Sequence, residues 1–89
     1  MEIPPQFRAL SRHFDQDIVL VAKNDDEMVA YALRNFQPDD RQIVKRYLTD
    51  LLAQNPSDET LTSTWDGLDS DIFITRGIRH FFTLIRDAA

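Results

Sequence analysis

The chain has no cysteine, only two glycines and a single tryptophan in 89 residues. Without thiols it can form neither a disulfide framework nor a thiolate metal site, so packing alone must hold it together, and a reducing cytoplasm suits it. Two glycines leave no phosphate-cradling loop. His13 and His80 are too few for a histidine-rich metal site, and the carboxylates show no ligand spacing that would make one. No apolar run approaches the roughly 20 residues of a membrane span, and "MEIPPQFRAL" lacks the basic start and apolar stretch of a signal peptide. The expectation is a soluble, cytoplasmic protein. Cations are also scarce, with 10 Lys and Arg against 15 Asp and Glu, a net charge of -5. That balance disfavours nucleic acid and anionic membranes as partners, since both reward basic side chains.

What is present suits a globular domain: 43% hydrophobic and 28% charged residues argue against disorder. A chain this short has room for one core, so residues 1–89 are read as one domain. Helical periodicity dominates. In "DDRQIVKRYLTDLLAQN", Ile43, Val44, Tyr47, Leu48, Leu51 and Leu52 form one apolar stripe, with Asp39 read as the cap and Asn55-Pro56 as the stop. "NDDEMVAYALRNF" repeats the logic, with Asn24 as cap, Glu27 as its capping-box partner and a stripe running to Phe36. Pro4 and Pro5 suit the start of a first helix carrying Phe7, Leu10 and Phe14 and ending near Gln16. A short helix from Ser57 would bury Leu61, Trp65 and Leu68, and a last one would bury Ile78, Phe81, Phe82 and Ile85. The expected fold is an all-α bundle of four to five short helices. "DIVLVA" and "SDIFIT" fit neither helical nor strand periodicity and are expected as irregular or short extended connectors.

Catalytic chemistry finds little footing. Ser11, His13 and Asp15 form a triad in composition only, because one helix cannot aim neighbouring positions at a single reacting atom. "DGLDSD", Asp66 to Asp71, has its glycine second instead of sixth and lacks the terminal glutamate of a calcium loop. No enzyme activity, metal or cofactor is expected. Charge distribution says more. From Tyr47 to Thr75 there is no Lys or Arg, while Asp50, Asp58, Glu59, Asp66, Asp69 and Asp71 make that stretch acidic. Such a field steers a cationic partner. Trp65 lies within it, readable first as core, at i+4 from Leu61, and second as an interface anchor with one ring edge exposed.

At "FRALSRHFDQDI" the chain resembles the small immunity proteins of bacterial contact-dependent growth inhibition systems, in which a short N-terminal helix commonly leads into an aromatic, Phe, His, Gln, Asp, Trp pattern. Here His13, Phe14, Asp15, Gln16, Asp17 and Ile18 occupy that place, with Asp15 in the position of the usual histidine and Ile18 in that of the tryptophan. The likeness continues through "YLTDLLAQNPSDETL" to the closing helix "GIRHFFTLIRDAA". It implies an all-α domain that binds and neutralises a cognate toxin, such as a nuclease with a basic cleft. It also implies a structural corner at which Gln16 and Asp17 bond neighbouring backbone and Ile18, Leu20 and Val21 pack as an extended connector. The expected partner-binding residues are Asp58, Glu59, Trp65, Asp66, Asp69 and Asp71. The alternative is a helical adaptor or self-associating module whose acidic surface serves only solubility.

Overall fold

A computed structural model describes residues 2–74 and 76–89. Among them are six helices and no strand: α1 (Pro5–Ser11), α2 (Ile18–Val21), α3 (Asp25–Leu33), α4 (Pro38–Ala53), α5 (Asp58–Asp66) and α6 (Ile78–Ala88). The all-α class read from periodicity is the one observed. The count is six instead of four to five because the run Ile18–Val21 closes one helical turn where an extended connector was expected.

The cause of that turn is Asp15. Its carboxylate accepts hydrogen bonds from the backbone amides of Asp17 and Ile18, at 3.0 and 3.2 Å, and so satisfies donors that a helix start leaves unpaired. Asp17, expected to hold this corner with its side chain, instead makes no side-chain cap. Ala22 then returns to extended geometry and ends the turn. Helix α1 likewise stops at Ser11, short of Gln16, and tight turn bonds carry the chain through His13 to a buried Phe14.

The remaining helices follow their local signals closely. Asn24 accepts from the Glu27 amide at 2.9 Å, while the Glu27 carboxylate reaches back to the Lys23 amide. Three acidic residues in the first turn of α3 add favourable interaction with its dipole. That helix ends at Leu33, before Phe36, and Arg41 donates to the carbonyls of Leu33 and Phe36 as its C-terminal cap. Helix α4 begins at Pro38 after Gln37, not after Asp39, because proline at the first position gives up an amide that would be unpaired anyway. Beyond its end Asn55 takes a φ of 50°, the left-handed geometry asparagine tolerates. Ser57 caps α5 through the Thr60 amide.

Helix α6 is the centre of the bundle and packs on α3, α4 and α5, while α1 lies on α4 and α2 on α3. Ile78, Phe81, Phe82 and Ile85 are buried, as their spacing requires. Against them stand Phe7, Leu10 and Phe14 from α1 and its following turn, with Trp65 from α5. The Trp65 ring lies 4.9 Å from Phe81, 5.3 Å from Phe14, 6.2 Å from Phe82 and 6.3 Å from Phe7, in tilted or edge-on arrangements favoured by aromatic quadrupoles. The radius of gyration, 11.9 Å, matches the roughly 12 Å of a compact domain this size.

Candidate protein-binding surface

Two features stand out outside the aromatic core. The first is a polar seam that fastens the loop after α5 to α1. Ser11 is fully buried; its hydroxyl donates to the Arg8 carbonyl at 2.6 Å and accepts from the Asp69 amide at 3.1 Å. Arg8 and Arg12 both pair with the Asp69 carboxylate, at 3.4 and 2.9 Å. The Phe14 carbonyl accepts from the Asp71 amide and the Ser70 hydroxyl. Trp65 Nε1 then donates to the Ile72 carbonyl at 3.2 Å, holding the next stretch of loop.

This seam decides what the six sequence-predicted residues can do. Trp65 is only 1% exposed, so it is a core residue that anchors a loop, and no ring edge faces a partner. Asp69 is occupied by two internal arginines. Asp58 lies 3.7 Å from Arg79, whose guanidinium also donates to the Pro56 carbonyl. Asp58 and Glu59 sit in the first turn of α5, with Asp66 at its end and Asp69 and Asp71 beyond. At 1.5 Å per residue the two ends of this nine-residue helix stand roughly 12 Å apart, so the acids form two groups instead of one patch. Glu59, Asp66 and Asp71 are exposed, and among the described residues no ion pair engages them.

The second feature is apolar. Helix α2 has one turn, so of its four residues only Ile18 reaches the core. Val19, Leu20 and Val21 are left 60%, 80% and 57% exposed. In the loop held by the seam, Ile72 and Ile74 pack on the core and Phe73 between them faces outward, 80% exposed. Val19 and Phe73 line a single groove of about 260 Å³ floored by Met28, Ile72 and Ile74. A neighbouring groove of about 460 Å³ shares Val19, Asp25 and Met28 and extends along Leu20 and Val21. Each large side chain left in water forgoes about 1.5–3 kcal/mol of burial. Clustered exposure of this kind marks a contact surface more often than scattered single residues do.

The charged residues that line the two grooves are Lys23, Asp25 and Arg76; in the chain Asp17 immediately precedes α2 and Asp71 precedes Phe73 by two residues. Sequence reasoning missed this surface as a site, although its signal was present in the unbroken apolar run Ile18–Ala22. Among the described residues no group of three or more His, Asp or Glu is arranged to hold a metal ion, and no helix is long and apolar enough to cross a membrane. No family model, curated protein or solved structure matches the chain.

Proposed function

We propose that this chain is a non-enzymatic, immunity-type protein that binds a cognate toxin domain in the cytoplasm of the producing cell and neutralises it. The observation that carries this reading is the exposure of Glu59, Asp66 and Asp71, which no ion pair engages among the described residues, on a protein of net charge -5. A toxin acting on nucleic acid needs a cationic cleft, and carboxylates held on a rigid helical scaffold are complementary to one. The likeness around "FRALSRHFDQDI" supports the same reading. Asp58 and Asp69 take a lesser part, since each already faces an arginine, and Trp65 acts through the core.

Self-association is the second reading, favoured by the exposed ridge of Leu20 and Phe73. The test is capture from native extract with the tagged protein at low and high salt, followed by co-expression of the captured polypeptide. One basic polypeptide, released by salt and toxic to cells unless this chain is present, is the expected result. A captured polypeptide with no effect on growth, or a homodimer alone, would refute the proposal.

A further inference from the structure

We infer that Asp71–Ile74 is a docking edge for a second copy of this chain, pairing antiparallel with the same segment across a two-fold axis at Phe73. Exposure alternates along it, with Asp71 and Phe73 exposed and Ile72 and Ile74 partly buried against the core. That period of two belongs to an extended chain, and "DIFI" carries the β-branched and aromatic side chains that favour one. The backbone divides in the same way. Ile72 is bonded inward at both groups, its amide to the Ser70 hydroxyl and its carbonyl to the Trp65 indole and the Ser70 hydroxyl. Among the described residues no hydrogen bond engages the amide or carbonyl of Phe73. Successive residues of an extended chain turn these groups to opposite sides, so the inward bonding of Ile72 leaves those of Phe73 facing out. Unpaired edge groups of this kind are a template for pairing with another chain.

Charge selects the second copy as occupant. The segment is bounded by opposite charges, Asp71 before Phe73 and Arg76 after it, both exposed and engaged by no ion pair among the described residues. Antiparallel pairing about Phe73 sets the Asp71 end of each copy beside the Arg76 end of the other, so the same attraction forms twice. A parallel arrangement would set like charges together. The groove lining agrees: a basic segment would face Lys23 and Arg76 and an acidic one Asp25, whereas a second copy offers both signs. Phe73 of one copy then meets Phe73 of the other, and Val19, which lines the same groove, is closed off from water with the neighbouring Leu20. Glu59 and Asp66 line neither groove, so this contact goes beyond the toxin-binding reading and leaves those carboxylates open to it.

The test is sedimentation velocity on the purified full chain, with no other protein, from low micromolar to near-millimolar concentration. A shift from monomer to dimer over that range is expected, and tagged chain should capture an untagged copy from extract. Phe73→Asp, with its helical circular dichroism retained, should weaken dimerisation at least about 30-fold, the scale of a lost hot-spot contact. Asp71→Arg and Arg76→Asp should each weaken it, and the two together should restore it. The chain has no cysteine, so Phe73→Cys reports the axis directly. Residues paired across an antiparallel ladder stand about 5.5 Å apart, within disulfide reach, and oxidation should link the copies at least about 10-fold faster than in Glu59→Cys. A chain that stays monomeric throughout, or a dimer that Phe73→Asp leaves intact, would overturn the surface. Charge reversals that fail to compensate, or equal oxidation at positions 73 and 59, would overturn the antiparallel pairing. Either failure leaves the toxin-binding reading standing, because that reading is tested by capture of a different polypeptide.

Discussion

The seam and the ridge treat their side chains in opposite ways. At the seam, Ser11 is buried with its hydroxyl bonded twice, and Trp65 is enclosed by four aromatic rings with its one polar atom satisfied. At the ridge, Leu20 and Phe73 extend apolar surface into water with nothing packed over it. The difference teaches that exposure at the ridge is not slack in the fold. The same chain closes its core tightly and meets every buried side-chain polar atom among the described residues. The seam also makes the ridge usable, since it holds the loop that presents Phe73.

The comparison breaks most visibly at the seam. Trp65→Ala removes the largest buried side chain and should cost about 3–5 kcal/mol in urea denaturation. That approaches the whole stability of a domain, commonly about 5–15 kcal/mol. Ser11→Ala should cost about 1–3 kcal/mol, because the part-buried Asp69 amide is left without its acceptor. Asp15→Ala should cost about 0.5–2 kcal/mol through loss of the α2 cap. Asp17→Ala, at the neighbouring exposed position, should stay within about 0.5 kcal/mol of wild type. Equal urea midpoints for the Asp15 and Asp17 variants would remove Asp15 from its role.

The smallest effect concerns pH. Burial pushes the Tyr47 phenol above its ordinary pKa of 10.0, because an ionised ring is poorly solvated against the core. A group raised on folding contributes stability that is complete below its unfolded pKa and lost as pH rises through the folded one. Stability should therefore decline above about pH 10 as the unfolded chain ionises first. Tyr47→Phe should flatten that decline, and an identical alkaline profile for both proteins would contradict the assignment.

Much of the fold was legible because its signals are local. The stripes of α4 and α6, the Asn24 and Ser57 caps and the Asn55 stop each depend on residues a few positions apart. The seam was not legible, since Ser11 and Asp69 are 58 residues apart and a serine gives no hint of its distant partner. Helix α2 was missed for another reason: four residues are too few to show a helical period. The consequence carried through to the site. An extended Ile18–Ala22 would send Leu20 inward with Ile18, whereas a single helical turn turns Val19, Leu20 and Val21 to solvent. Of the predicted binding residues, Trp65 is the one whose burial removes it from direct contact, and its reading as core at i+4 from Leu61 is the better description.

The most direct test of the central claim, that the ridge is reserved for a partner and not for the fold, is retention of the captured partner copy by a Leu20→Asp/Phe73→Asp double variant, measured beside wild type in the same extract. The account predicts a folded protein, with a urea midpoint equivalent to within about 0.5 kcal/mol of wild type, that loses at least about 30-fold of its partner. Undiminished retention by the folded double variant would contradict it.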